Sequence, residues 1–184
     1  MQKMKNRLSG FTLIELMLVI TLMAISVGVT SDILVTLVRS SNKTQVNNEI
    51  EQQSGFVTSK LEKELRNALK IITSSGDVNV LVLKTIDGRT VTYTVDTTAG
   101  TISRTEVSAD GLTSITLPLT VNATGGVKVS CPNGGKCFTI SGVSPQIVSY
   151  QIQFDQAQIG AGASYKGSIT LTNTVVIRNT YYSR

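Results

Sequence analysis

The sequence lacks histidine altogether, and it contains only two cysteines and no tryptophan. Without histidine, the commonest metal ligand and the usual proton carrier at neutral pH are missing, and two cysteines are too few for a structural zinc site. No Walker, Rossmann or G-x-S-x-G pattern occurs, and the scattered acidic residues do not have calcium-loop spacing. The sequence therefore predicts a protein that is not an enzyme and that carries neither a cofactor nor a metal ion.

Charged and aromatic residues are also scarce. Charged residues make up 16% of the chain, against roughly 25% in ordinary soluble domains, and aromatic residues make up 5%. The formal net charge is +5, but Lys3, Lys5 and Arg7 all lie in the first ten residues. Because no dense basic stripe remains elsewhere, the charge gives little support to nucleic-acid binding. The core of the globular part is expected to be aliphatic and thin.

A long apolar run follows this basic start. Residues 1–10 are polar and end in Gly10, and the next twenty residues, Phe11–Thr30, contain the single charge of Glu15. As a helix this run matches the roughly 30 Å hydrocarbon core of a bilayer. The basic side is expected to stay in the cytoplasm while the rest is exported. An ordinary signal peptide has its small cleavage residue after the apolar run. Here Gly10 precedes it, so cleavage there would remove the leader and keep the helix.

Glu15 is the most informative residue of the apolar run. A carboxylate inside a membrane span costs several kcal/mol unless it finds a partner, which makes it a functional candidate. Cleavage after Gly10 would create a new α-amino group on Phe11. Within one helix this amine is awkwardly placed for Glu15. In a staggered array the amine could meet Glu15 of a neighbouring subunit and neutralise both charges.

The segment Gly10-Phe11-Thr12-Leu13-Ile14-Glu15, placed between a basic leader and an apolar stretch, resembles the prepilin signature of type IV pilins and type II secretion pseudopilins. The resemblance implies cleavage between Gly10 and Phe11 by a prepilin peptidase of the inner membrane. It also implies N-methylation of Phe11 and packing of the helices with other pilin or pseudopilin subunits into a filament core. An uncleaved signal anchor with a chance acid is the alternative.

Two further stretches are similar to minor pilins and pseudopilins of the W and J classes. They are Leu61–Ala68 and, for the W class, Thr174–Asn179. Major pilins of the family often carry a proline within the apolar helix, whereas this chain has Asp32 in that region and no proline before Pro118. This departure argues against the role of a major subunit and favours a minor pilin or a pseudopilin.

The helix is expected to continue well beyond the apolar run, to about residue 72. Its apolar half covers residues 11–31, and an amphipathic half covers residues 32–73. The pairs Lys60–Glu64 and Glu62–Arg66 are expected on the polar face of the amphipathic half. The opposite face carries apolar residues at helical spacing: Val46, Ile50, Val57, Leu61, Leu65, Leu69 and Ile72.

Residues 74–184 are expected to form a β-rich head. Asp87-Gly88 and Ala99-Gly100 indicate hairpin turns, while Gly125-Gly126 and residues 156–167 indicate loops. The fold class is therefore α+β, with a long N-terminal helix whose apolar face covers an antiparallel sheet. Eight stretches rich in β-branched residues predict strands: residues 78–84, 90–95, 101–107, 117–121, 127–131, 138–141, 147–154 and 168–178.

Cys131 and Cys137 enclose a five-residue stretch that contains Gly134-Gly135. An exported domain reaches an oxidising compartment, and two glycines allow the tight turn that brings two sulfur atoms together. A local disulfide is the favoured interpretation, and free thiols are the alternative. No histidine is present to activate a catalytic thiol.

Together these features favour a structural and assembly subunit of a type IV pilus-like filament. It would sit in the inner membrane through residues 11–31 before assembly, with the head exported, and then in a pilus, at the cell surface or in a periplasm-like space. One alternative is a binding module at the fibre tip, for which Lys128 and Lys136 give weak support toward DNA or surfaces. The other is a single-pass surface protein that forms no fibre.

Overall fold

The computed structural model describes residues 12–123, 126–157 and 167–177. The chain divides into two compact units, Met1–Asn42 and Lys43–Arg184. One helix, α1, runs from Leu13 to Arg66 and contributes to both units. Ten strands follow it within the described residues: β1 Ala68–Ile71, β2 Gly76–Val78, β3 Val80–Thr85, β4 Thr90–Asp96, β5 Thr101–Val107, β6 Ser114–Pro118, β7 Val127–Ser130, β8 Phe138–Ser141, β9 Gln146–Gln156 and β10 Ser168–Ile177.

The described part of the first unit is helical from Leu13, and all of its residues are exposed. Its most apolar 18-residue window has a mean hydropathy of 2.3, and none of that window is buried. By length and composition this helix could cross a membrane. The apolar surface of this unit is therefore covered by nothing in the described part of the chain.

In the second unit, one face of α1 is buried in the hydrophobic core. Val46 is partly buried and is followed by buried residues at spacings of three or four, the repeat that places side chains on one helix face. These buried residues are Ile50, Ser54, Val57, Leu61 and Leu65. The four apolar residues among them pack with inward-facing residues of the strands in one hydrophobic cluster.

The first sheet has the strand order β1-β3-β4-β5-β6, and all of its neighbours are antiparallel. Buried and half-buried residues alternate along β3, β4 and most of β5, as expected for strands with one face on a core. Gly88 and Gly100 close the turns at either end of β4 with φ angles of 82° and 67°, values that favour glycine because other residues meet a steric penalty there.

The second sheet has the order β10-β9-β8-β2, and β7 pairs with β9 as well. The eleven-residue β9 is its central strand. It pairs along its length with β10 on one side, while β7 and β8 pair with its two ends on the other side. The α+β class, with α1 packed against antiparallel strands, is thus confirmed.

The predicted end of the helix was wrong. The helix ends at Arg66, and Ala68–Ile71 forms β1 instead of a further helical turn. Isoleucine and threonine at residues 71–73 favour extended backbone, and Ile71 pairs with Leu83 of β3. Leu69 and Ile72 therefore do not lie on a helical face, and Ile72 is 51% exposed.

The strand predictions were accurate in the centre of the head and weaker at its edges. Strands β5 and β8 have the predicted bounds, but β1 was missed, β2 stands apart from β3, and β6 begins three residues earlier than expected. Two sheets are present where one was predicted. The leader, Phe11, Gly125 and most of the loop over residues 156–167 lie outside the described residues.

Candidate functional site

The described chain begins with a helix cap that involves Glu15. The backbone N–H and the hydroxyl of Thr12 each donate to Oε2 of Glu15 over 3.0 Å. In return, the backbone N–H of Glu15 lies 3.4 Å from the Thr12 hydroxyl. This reciprocal arrangement is a capping box, which satisfies backbone donors that the first helical turn leaves free. The sequence contained this signal, because threonine precedes glutamate by three positions.

The cap leaves the charge of Glu15 without a cation among the described residues. Thr12 is neutral. The salt bridges found among the described residues have Arg89 or Arg104 as their cation, and none of them includes Glu15. Glu15 is exposed. Gly10 and Phe11, the predicted cleavage and methylation residues, lie outside the described residues. Cleavage, methylation and the pairing of Glu15 with the Phe11 amine of another subunit therefore stay predictions.

Near the other end of α1, Glu64 bonds to the first sheet. Its carboxylate accepts from the hydroxyl of Tyr93 on β4 over 2.7 Å and from Nε of Arg104 on β5 over 2.9 Å. Arg104 also reaches Glu106 over 2.6 Å, and its side chain is only 8% exposed. These charge-assisted bonds satisfy a buried guanidinium and fix the helix to the sheet.

Glu62, two residues earlier, bonds to the second sheet. Its Oε1 accepts from the hydroxyl of Tyr150 on β9 over 2.6 Å and from the side-chain amide of Asn173 on β10. Within the described part of the chain, Glu62 and Glu64 therefore connect α1 to one sheet each. Both acids are half-buried against the sheets, so the prediction that they lie on a polar helix face was wrong. Neither predicted pair is among the salt bridges of the described residues, but the charge of Arg66 does contribute to the lowered pKa of Glu62.

A signal for these contacts was present in the strands, although the sequence analysis did not use it. Tyr93 and Tyr150 occupy buried positions of strands whose other buried residues carry no polar side-chain group. A buried tyrosine hydroxyl nearly always needs a hydrogen-bond partner. Nothing in the linear sequence identifies which acid accepts from which tyrosine, because that depends on how the helix lies on the sheets.

The electrostatics agree with this arrangement. Hydrogen bonds from Tyr150 and Asn173 lower the pKa of Glu62 below its ordinary value. Bonds from Arg104 and Arg89 do the same for the pKa of Glu106. Burial, and then the bond to Glu64, raises the pKa of Tyr93. The carboxylates are thus held charged and the phenol neutral across the physiological range.

A groove of about 670 Å³ opens between the last turns of α1 and the β3–β4 turn. Lys60, Lys63 and Arg66 line its helix side, and Arg89 lines its sheet side, where it pairs with Asp87. Among the described residues no cluster of histidine, cysteine, aspartate or glutamate has the geometry of a metal site. Leu69, Ile86 and Val91 add apolar surface to the lining, so the groove offers both ionic and apolar contacts.

The sulfur atoms of Cys131 and Cys137 lie 1.99 Å apart, at disulfide distance. The side chain of Asn79 joins this loop to the start of β3, since its Oδ1 accepts from the Cys137 N–H over 3.0 Å and its amide donates to the Gly135 carbonyl over 2.8 Å. Asn79 was not identified from the sequence. Lys136, in the loop, and Lys128, on β7, are both exposed.

Comparison with known proteins identifies the N-terminal segment. A family model described as the prokaryotic N-terminal methylation motif matches residues 5–31. No curated protein and no solved structure matches the chain. The match includes Gly10, Phe11 and Glu15, and it supports the signature of a type IV pilin-like or pseudopilin precursor. It does not reach the head, so the predicted similarity of Leu61–Ala68 and Thr174–Asn179 to W- and J-class proteins stays a prediction.

Proposed function

We propose that this chain is a minor pilin or pseudopilin, a structural and assembly subunit of a type IV pilus-like filament. The observation that carries the proposal is the methylation motif over residues 5–31, joined to a helix that is apolar and exposed yet bears Glu15. A prepilin peptidase would cut after Gly10, and Phe11 would then be N-methylated. The partners are this enzyme and other pilin or pseudopilin subunits.

The mechanism rests on the cost of an unpaired charge in an apolar surrounding. Before assembly, the helix would lie in the cytoplasmic membrane with the head exported. Cleavage frees the Phe11 amine, which pairs with Glu15 of a neighbouring subunit and removes the cost of both charges. The exposed apolar residues of the first unit then exchange lipid for the helices of other subunits. A head-to-tail contact that does not close on itself grows into a filament.

The first test is the mass of the mature chain in its own membrane. We expect a chain that begins at N-methyl-Phe11, and we expect Gly10→Val to accumulate as the uncut precursor, since a branched side chain replaces the small residue at the cleavage site. Gly28→Ala, in the same apolar helix and with open space around its Cα, is the matched control and should be processed normally. A parent chain that begins at Met1 would overturn the proposal.

The second test separates the charge of Glu15 from its capping role. Glu15→Gln keeps an oxygen that can accept the Thr12 bonds, because glutamine also closes a capping box, but it removes the charge. We expect this variant to be processed and to stay in the membrane while it is lost from sheared filaments. Asp32→Asn removes another exposed acid of the same helix and should incorporate. Normal incorporation of Glu15→Gln would show that charge pairing does not drive assembly.

A third outcome points to the alternative without a fibre. If the processed parent chain never enters a filament, while Glu15→Gln and the parent behave alike in the membrane, the chain is a single-pass surface protein. No observation in the described residues favours DNA binding over assembly, because Lys128 and Lys136 have no further cationic neighbour on their own strand or loop.

A further inference from the structure

The groove between the last turns of α1 and the β3–β4 turn holds the excess positive charge of the chain after the leader. The acids that line this groove or pair with its cations are Glu64, Asp87 and Glu106. Elsewhere after Gly10, the chain has nine basic and nine acidic residues. The positive excess is therefore confined to this groove. Its five cations are Lys60, Lys63, Arg66, Arg89 and Arg104.

The cations on the helix side of the groove are not neutralised within the described chain. The two arginines of the sheet side take up all three acids in salt bridges. Lys60, Lys63 and Arg66 take part in none of the salt bridges found among the described residues, although the charge of Arg66 acts on Glu62. The dipole at the end of a helix is equivalent to only about half a unit charge. The helix side therefore keeps positive charge that an anionic ligand can neutralise.

The sheet side of the groove adds apolar surface. Leu69 of β1, Ile86 of the β3–β4 turn and Val91 of β4 line it, and Ile86 is 66% exposed. An exposed aliphatic side chain gains free energy when another apolar group covers it. The volume of about 670 Å³ lies in the range of pockets that bury drug-sized ligands, and a segment of a few amino-acid residues is of similar size. The groove thus has a charged wall and an apolar wall.

The two walls suit an extended peptide with alternating side chains. Lys60 and Lys63 are three residues apart, as are Lys63 and Arg66, so the Cβ atoms of each pair lie about 5–6 Å apart on the helix surface. In an extended chain, side chains two residues apart lie about 7 Å apart on one side, and the side chain between them points to the other side. Carboxylates at alternate positions can therefore reach neighbouring cations while the intervening side chain meets the apolar wall.

We propose that this groove binds a short acidic segment of another protein, in which carboxylates alternate with aliphatic side chains. The carboxylates pair with Lys60, Lys63 and Arg66, and the aliphatic side chains pack on Leu69 and Ile86. Hydrogen bonds between such charged groups are stronger than those between neutral groups. The inference goes beyond the proposed function and does not depend on it, because it rests on the second unit alone.

A nucleic acid fits this lining less well than a peptide does. Glu64 and Asp87 place carboxylates in the walls, and these repel a dense row of phosphates. None of the described residues that line the groove is aromatic, whereas proteins that bind single strands stack the bases on aromatic side chains. The apolar surface of Leu69 and Ile86 has no counterpart in a phosphate backbone. The mixture of ionic and apolar contacts therefore favours a peptide.

Fluorescence anisotropy of labelled peptides, added to the full-length chain in a neutral detergent, tests the proposal. The probe is the peptide Glu-Leu-Glu-Leu-Glu. One comparison peptide, Gln-Leu-Gln-Leu-Gln, lacks the charges, and the other, Glu-Glu-Glu-Leu-Leu, has the same composition without the alternation. We expect the alternating acidic peptide to bind the parent chain more tightly than either comparison peptide.

Two double variants test whether the binding depends on this groove. Lys63→Gln with Arg66→Gln should weaken binding of the probe about tenfold, because two exposed ion pairs are lost. Lys128→Gln with Lys136→Gln is the matched control. It removes the same charge from exposed positions outside the groove and should leave the affinity unchanged.

Ile86→Ser tests the apolar wall, and the exposure of Ile86 means that this change leaves the core intact. It should weaken binding of Glu-Leu-Glu-Leu-Glu several-fold and leave binding of Glu-Ser-Glu-Ser-Glu unchanged. Equal weakening by the two double variants, no preference for the alternating acidic peptide, or a parent chain that binds none of the peptides would overturn the proposal. Tighter binding of a short single-stranded oligothymidine, lost in Lys63→Gln with Arg66→Gln, would assign the groove to nucleic acid instead.

Discussion

The two parts of α1 differ in where their apolar side chains find contacts. In the part that belongs to the first unit, all described residues are exposed. In the part that belongs to the second unit, every third or fourth residue from Ile50 to Leu65 is buried against strands of the same chain. One part thus carries an apolar surface that needs lipid or other subunits. The other part carries a surface whose partner is encoded in the chain itself.

The acids of the helix repeat this difference. Glu15 accepts only from the neutral Thr12 of its own first turn. Glu62 and Glu64 each accept from groups on strands that lie far away in sequence. Because a guanidinium or two side-chain donors satisfy the later acids, they stabilise the fold of the monomer. Glu15 keeps a charge that only a group from outside the described chain can balance, which fits a role in assembly.

Truncation of a buried leucine should have the largest effect of the changes considered, because only the second part of α1 contributes to the core of the head. Leu61 is fully buried in the core of the second unit, so Leu61→Ala should lower the free energy of unfolding of the head by about 2–5 kcal/mol. The measurement is urea unfolding in detergent, followed by the near-ultraviolet signal of the tyrosines. The buried Tyr93 and Tyr150 make that signal sensitive to loss of the core.

The control for this prediction lies in the first unit. Leu22 is 59% exposed, and Leu22→Ala should leave the unfolding curve of the head unchanged. Equal loss of stability in the two variants would mean that the apolar part of α1 also contributes to the core of the head. The conclusion that only the second part of α1 packs in the core of the head would then be wrong.

Acid should weaken the second unit through its carboxylates. Hydrogen bonds lower the folded-state pKa of Glu62 and of Glu106. A lowered pKa contributes stability above the unfolded value of about 4.3 and loses it as pH falls through the folded value. We therefore expect the urea midpoint of the head to be flat from pH 7 to about pH 5 and to fall below that.

The variant Glu62→Gln tests whether the charge of Glu62 contributes to this pH dependence. Glutamine can still accept from Tyr150 and Asn173, but a neutral acceptor forms weaker bonds, so the variant should lose about 1 kcal/mol at pH 7. This cost is modest because Glu62 is only half-buried. The gap between parent and variant should shrink as the pH falls through the lowered folded-state pKa of Glu62, because the parent side chain then becomes neutral as well. A constant gap across this range would show that Glu62 acts through its shape and not through its charge.

The sequence predicted the elements whose signal is local. The apolar run from Phe11 follows from hydropathy, and β4 and β5 follow from β-branched residues between glycine turns. The end of the helix was missed, because Leu69 and Ile72 continue a helical spacing that pairing with β3 overrides. Tertiary contact decides between helix and strand in such short apolar stretches.

The candidate site residues could likewise be predicted only where their signal is local in the sequence. The motif around Glu15 is contiguous, so it could be identified from six residues. The bonds of Glu62 and Glu64 join positions that are 29 to 111 residues apart. Charge spacing on the helix predicted local pairs for these acids, since it contains no information about the sheets.

The variant with the smallest expected effect, Thr12→Val, distinguishes the capping role of Glu15 from the role of its charge. Thr12→Val removes the hydroxyl that bonds to Glu15 and keeps the branched shape of the side chain, and loss of such a cap costs about 1 kcal/mol. We expect roughly five-fold faster amide exchange in the first helical turn, with head stability unchanged. Filament incorporation should persist, because Thr12→Val leaves the charge of Glu15 in place. If Thr12→Val instead blocks incorporation as fully as Glu15→Gln is expected to, Glu15 acts by capping the start of the helix. Glu15 would then resemble Glu62 and Glu64, whose hydrogen bonds lie within one chain, and would not be an acid that pairs with another subunit.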